Sequence, residues 1–192
     1  MEQNREDSKM ARKKPRQKKS RITYCFVVEG CTEKNYIECL KSLYTHQVGK
    51  LENCKGGSAK SVLDKAAKMV KKNGDAFLGY VVWFDNDTYN QKADNNLKQQ
   101  LESKNTSEMT IDIYMSEPCI ESWLLAHFVK PQLGKKCDFY VKQLRQPKRI
   151  PNYEKKKDCK LLKDHINHKN IQVAITNYPE IGCLVQRYFA IN

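Results

Sequence analysis

Residues 77–88 read FLGYVVWFDNDT, an apolar run that stops abruptly at Asp85, Asn86 and Asp87. An unbroken stretch of aromatic and β-branched residues of this length describes a strand buried on both faces. TYCFVV at 23–28 has the same character and ends the same way, at Glu29 and Gly30. Helical spacing follows it: Tyr36, Ile37, Leu40, Leu43 and Tyr44 share a face, with Thr32 as the expected N-cap. Past a turn at Gly56 and Gly57, Ser58 caps a second helix whose stripe is Val62, Leu63, Ala66, Ala67 and Val70. Lys60, Lys65, Lys68, Lys71 and Lys72 stand outside that stripe.

Beyond the central run, the charged stretch 91–104 is a third helix and IDIYM at 111–115 a third strand, ending at Ser116, Glu117 and Pro118. CIESWLLAHF at 119–128 is apolar on most sides and reads as a buried helix opened by Pro118 at its first position. Strands alternating with helices predict an α/β fold of Rossmann-like type: a mainly parallel sheet flanked by helices and built from right-handed βαβ units. Ligands bind at the carboxyl ends of such strands. After residue 130 no strand is expected. Helices are predicted near 132–145, 154–167 and 180–190, around the Pro147–Pro151 loop. The expected organisation is a disordered basic arm at 1–21, an α/β core at 22–130, and a helical C-terminal part at 131–192 packed on the same domain.

The 192 residues, 40% of them hydrophobic, allow a substantial core. Lys and Arg outnumber Asp and Glu by 35 to 22, a net charge of +13 that favours polyanions, with nucleic acid the obvious partner. The same charge would also serve solubility alone. No apolar run approaches the roughly 18–20 residues of a membrane span. Eight cysteines without a CxxC pair and without a secretory signal read as reduced thiols of a soluble cytoplasmic protein.

Chemistry concentrates where the strands stop. Asp85 and Asp87, two apart, project to one side if the strand continues through them, and Glu29 holds the equivalent place on the first strand. Glu33 lies four residues on, within reach in the first helical turn. Close carboxylates repel, and a hard divalent cation such as Mg²⁺ or Mn²⁺ relieves that repulsion. Asp-Asn-Asp is also a common turn or cap. His127, Trp83 and Trp123 read as core or support. His46, His165 and His168 lack metal-ligand partners at diagnostic spacing, and a zinc site among Cys159, His165 and His168 stays open as a minor alternative.

The segments VVEGCTEKNY at 27–36 and VVWFDNDT at 81–88 resemble a Toprim domain. SEPCIESWLLAHF at 116–128, the basic leader and YPEIGCLVQRYF at 178–189 are similar to RloB-like abortive-infection (AbiLii-type) proteins. The likeness extends over nearly all of 12–190 and departs at Glu117 and Ile120. It implies a Toprim metal site in which Asp85 and Asp87 hold Mg²⁺, Glu29 is general acid or base, and Glu33 and Glu121 fill further acidic positions. It also implies a lysine after Tyr153, among Lys155, Lys156 and Lys157, that neutralises phosphate charge; Lys156 is the central choice.

The function expected on these grounds is a metal-dependent nuclease in antiphage defence, acting on RNA (transfer RNA among the choices) or DNA. A partner ATPase and self-association are both open. The alternatives are a non-catalytic subunit binding nucleic acid or a partner, and a haloacid-dehalogenase-type phosphatase with Asp85 as nucleophile. The latter needs a late acidic pair on a third strand, and no such pair is present after residue 111.

Overall fold

The computed structural model describes residues 23–155 and 159–190. The basic arm 1–21 and Lys156 lie outside the described residues. The chain forms an α/β fold around a four-stranded, all-parallel sheet, consistent with a Rossmann-like architecture. In chain order the elements are β1 (Tyr24–Val28), α1 (Cys31–Leu43), β2 (Thr45–His46), β3 (Val48–Asn53), α2 (Ala59–Asn73), β4 (Gly79–Asp85), α3 (Gln91–Glu102), β5 (Thr110–Ser116), α4 (Ile120–Ala126), α5 (Cys137–Leu144), α6 (Cys159–His165), α7 (His168–Asn177), α8 (Pro179–Tyr188) and β6 (Phe189–Ala190).

The sheet order is β3-β1-β4-β5. The chain steps outward from β1 to β3, then crosses back to β4 and onward to β5, so the direction of winding reverses between β1 and β4. That reversal opens a crevice at the carboxyl ends of these two strands.

Both central strands are buried, and their alternating side chains feed two cores. Phe26, Val28, Val81 and Trp83 join α1, α4 and the C-terminal helices on one face. Cys25, Val27, Tyr80, Val82 and Phe84 meet α2 and α3 on the other. Unbroken apolar runs follow directly from this, because a strand covered on both faces has no wet side. The C-terminal helices share the first core: Tyr188 of α8 meets the rings of Tyr24 and Phe26 edge-on, at 4.8 and 5.4 Å. The tiny antiparallel pair β2–β6 ties the end of the described chain back beside β1.

Several local expectations change. β3 was not expected: VGKLEN offers only Val48 and Leu51 as apolar residues, and it is an edge strand that depends on pairing with β1. The first helix starts at Cys31 with Gly30 as N-cap, not Thr32, because Glu33 reaches back to the Gly30 N–H at 3.0 Å. Ser58 caps α2 as expected. Pro118 does not open α4; Cys119 is the N-cap and the helix begins at Ile120. The C-terminal part holds α7, which was not foreseen, and ends in β6 rather than being wholly helical. Cys119 and Cys137 are joined as a disulfide, whereas all eight cysteines were expected as thiols. The pairing is long-range in sequence, 18 residues apart, and is made by the packing of α5 on α4. No helix among the described residues is long and apolar enough to cross a membrane.

Gly79 begins β4 where the neighbouring strand comes very close: a Cβ there would meet the Thr110 carbonyl oxygen at 2.3 Å. Backbone on the far side cannot swing away as a side-chain tip can. Gly79→Ala is therefore expected to destabilise the fold by about 1–3 kcal/mol, the usual cost of overpacking. Urea unfolding followed by circular dichroism checks this, and an unchanged midpoint would contradict it.

Candidate functional site

Parallel pairing sets the site. β1 and β4 run side by side with Val28 opposite Trp83, and the Glu29 N–H donates to the Trp83 carbonyl at 3.1 Å. Glu29 thus leaves β1 beside the last residues of β4, and its Oε2 accepts from the Asp85 N–H at 3.1 Å. The Thr88 hydroxyl lies 3.0 Å from the same Oε2 and 2.9 Å from the Asp85 carbonyl, while accepting from the Ala59 N–H at the start of α2.

Two helices bring further carboxylates. Glu33 sits in the first turn of α1. Asp85 Oδ1 accepts from the Ile120 N–H at 2.7 Å, which places the first turn of α4, and with it Glu121, beside Asp85. Glu29, Glu33, Asp85 and Glu121 are all buried, at 8, 3, 8 and 1% exposure, and line one cavity of about 120 Å³. Lys55 and Gly56 stand at its wall on the loop after β3, where Lys55 and Gly56 both take positive φ (62° and 85°) and the Gly56 N–H bonds the Glu29 carbonyl. The C-terminal part closes the cavity. Tyr153 O–H donates to Glu121 Oε1 at 2.9 Å and Lys155 Nζ lies 3.2 Å from Glu121 Oε2. That ion-pair distance does not come with hydrogen-bond geometry, so Oε2 is buried without a proper donor.

Asp87 is placed differently. The strand ends at Asp85 and residues 86–88 turn into a short 3-10 helix, so the alternation that would have set Asp85 and Asp87 on one side is lost. The Asp87 N–H bonds the Pro118 carbonyl, and its Oδ2 lies 3.1 Å from Cys137 Sγ, facing a neighbouring cleft. Its charge still reaches Glu29 and Lys155. A larger cleft of about 460 Å³ between Phe128 and Arg149 carries no acidic residue and no part of this cluster.

Burial governs the electrostatics. Desolvation, with Glu33, Glu121 and Glu29 as like charges, pushes the Asp85 carboxyl up to about 9. Desolvation, reinforced by Glu29 and Glu121, raises Glu33 to about 7, and desolvation raises Glu29 against the bonds from Asp85 and Thr88. Burial lowers the Lys155 ammonium, but Glu121, Asp85 and Asp87 outweigh it and the net shift is upward. His127, fully buried against Tyr36 and the carbonyls of Trp123 and Leu124, is lowered to about 4 and is a neutral part of the core.

The donor chemistry fits a hard cation. The described bonds at Glu29, Asp85 and Glu121 occupy Oε2, Oδ1 and Oε1, while Lys155 and Lys55 are the nearby positive charges. Asp85, raised to about 9, stays protonated at neutral pH unless a cation joins it, and an all-oxygen set suits Mg²⁺ or Mn²⁺. Glu29, Glu33 and Asp85 are the residues that would hold it, after a shift that draws together carboxylates that do not all lie within 4.8 Å of one another here.

A family model described as RloB-like protein matches residues 24–181, and the chain belongs to the RloB-like family. No curated protein and no solved structure gives a significant match.

Lys55 and Thr88 had no individual signal in the sequence, and Tyr153 only the family likeness that sets a lysine after it. Tyr153 looks like packing, Lys55 is one lysine among many, and Thr88 reads as the end of a turn. Tyr153 and Thr88 acquire their places through partners at least 29 residues away, and Lys55 through the loop that sets it at the cavity wall.

A carboxyl whose pKa is raised by folding stabilises the fold below its ordinary pKa, and that stabilisation is lost as pH rises through the folded value. In chelator, the melting temperature should fall from about pH 4, the unperturbed carboxyl range, through about 7 for Glu33 and about 9 for Asp85. Asp85→Asn, which keeps an acceptor for the Ile120 N–H, should flatten the upper part of that slope, and Mg²⁺ should offset it in the native chain. Calorimetric melts across this range decide the matter; equal slopes in both proteins would refute the assignment.

Proposed function

We propose that this protein is a divalent-metal-dependent phosphodiesterase of Toprim type that cleaves nucleic acid. One observation carries the reading: Glu29, Glu33, Asp85 and Glu121 share one small cavity at the sheet's winding reversal, with Lys55 and Lys155 beside them. Four buried acids in one cavity are destabilising for a fold, and a chemical role for them is the economical reason to keep them. Bound there, Mg²⁺ or Mn²⁺ would polarise a phosphodiester and stabilise the leaving oxygen.

The chain's own groups do the rest. Glu29, held by the Asp85 N–H and the Thr88 hydroxyl and raised by burial, is suited to carry a proton to or from the reacting oxygens. Lys155, oriented by Glu121, offsets negative charge developing on the phosphoryl group. Tyr153 fixes Glu121 in turn and acts as a positioning residue. The narrow cavity excludes bulk water, which strengthens each of these interactions. Asp87, set at the neighbouring cleft, would act through its charge or through a water bridge. A net charge of +13 supports a polyanionic substrate. The likeness to abortive-infection proteins is the ground for placing the activity in antiphage defence in the cytoplasm, with RNA, transfer RNA included, as first substrate class and an ATPase as activating partner.

Incubating the full chain with labelled RNA and DNA, with Mg²⁺, Mn²⁺ or EDTA, tests this directly. Cleavage should need the metal and should fall by about 10²-fold or more in Glu29→Gln, the range that general acid–base groups contribute, and likewise in Asp85→Asn. Salt-sensitive binding without cleavage, with the ATPase also present, would overturn the catalytic reading in favour of a binding subunit.

A further inference from the structure

Beside the acidic cavity lies a second set of ligand atoms with different chemistry. Cys119 is the N-cap of α4 and Glu121 follows in its first turn, while Cys137 opens α5, which packs on α4. Cys119 Sγ, Cys137 Sγ and a Glu121 carboxylate oxygen all lie within 4.8 Å of one another. Donors at zinc distances of about 2.0–2.3 Å in a tetrahedron stand roughly 3.3–3.8 Å apart; the two sulfurs, joined here as a disulfide, reach that spacing by parting on reduction, with Glu121 already beside them. We infer that, with its two cysteines reduced, this cluster is a binding site for a thiophilic divalent cation, Zn²⁺ foremost.

Two further observations point the same way. Glu121 Oε2 is buried in a residue only 1% exposed and has no hydrogen-bond donor; Lys155, whose side chain is 46% exposed, is the cation paired with it. A metal ion would complete what this oxygen lacks. Asp87 Oδ2 stands 3.1 Å from Cys137 Sγ at the edge of the set, and a water would complete a tetrahedron. The two neighbouring sites then sort cations by softness, since thiolates select zinc-like ions and the all-carboxylate cavity selects Mg²⁺ or Mn²⁺. Glu121 belongs to both.

Occupancy depends on redox state. The structure joins Cys119 and Cys137 as a disulfide. A dithiol reductant supplies two electrons and two protons, giving two thiols and its own disulfide. Zn²⁺ then binds both sulfurs as thiolates and releases the two protons to solvent. Bound there, the ion links the start of α4 to the start of α5 beside Asp87, replacing the covalent link by a reversible one.

The test uses the full chain, reduced and titrated with Co²⁺ as a spectroscopic stand-in for Zn²⁺. The expected result is a near-ultraviolet thiolate-to-cobalt band with tetrahedral visible bands, saturating at a single equivalent, bleached by Zn²⁺ and lost in Cys119→Ser/Cys137→Ser. Glu121→Gln should keep the band and weaken Zn²⁺ binding by about tenfold or more. Absence of the band in the reduced native chain overturns the inference, and so does its survival in the double variant, which would assign it to other cysteines. Should the double variant fail to fold, Cys137→Ser at the more exposed sulfur decides: a diminished band supports the site and a full one refutes it. The readout is independent of nucleic-acid cleavage, so it stands or falls apart from the proposed activity.

Discussion

The hydrogen bond from the Asp85 N–H to Glu29 Oε2 is the contact on which the site depends. It exists because β1 and β4 are parallel neighbours in the middle of a four-stranded sheet, in a register that sets Val28 opposite Trp83 and brings Glu29, just past β1, beside Asp85 at the end of β4. Once these two carboxylates share a buried crevice, the surroundings must meet their charge. Backbone N–H groups from Gly30, Asp85 and Ile120, the Thr88 and Tyr153 hydroxyls and the Lys155 ammonium all serve that end. They do so incompletely: Glu29, Glu33 and Asp85 remain hard to ionise. Raised carboxyls gathered in a buried cleft mark it as a candidate functional site.

The two faces of the sheet divide the labour. α2 and α3 cover one side with an apolar stripe and contribute to the site only at its edge, through the Ala59 N–H on Thr88. The other side carries α1 and α4, whose first turns deliver Glu33 and Glu121, and the C-terminal helices that hold these in place. Tyr153 and Lys155 come from beyond α5, so the C-terminal part belongs to the site as much as the strands do. The aromatic contacts of Tyr188 with Tyr24 and Phe26 fasten that part against β1.

How far the sequence could be read depends on the range of the forces involved. The strands at 24–28, 79–85 and 110–116 are legible because continuous burial leaves a continuous apolar run, and α1, α2 and α4 because one buried face repeats at helical spacing. β3 is not legible: an edge strand with Gly49, Lys50 and Glu52 has almost no pattern of its own and takes its conformation from β1. The N-caps shift by one or two residues because capping is decided by which side chain reaches back, as Glu33 does to Gly30.

By itself the sequence determined that an α/β sheet is present and that Glu29 and Asp85 terminate two of its strands. Those features are local, written in residue type and short-range period. Only the tertiary structure decided which acids share a cavity: Glu121 joins them although it lies on a helix 36 residues past Asp85, and Asp87 turns toward Cys137 although it is two residues away. The pairing of Cys119 with Cys137, and of Glu121 with Tyr153 and Lys155, is equally invisible in one dimension. The physical reason is common to all of them. Strand order, the short turn that ends β4 and the packing of one helix on another fix where side chains converge, and no spacing along the chain carries that information.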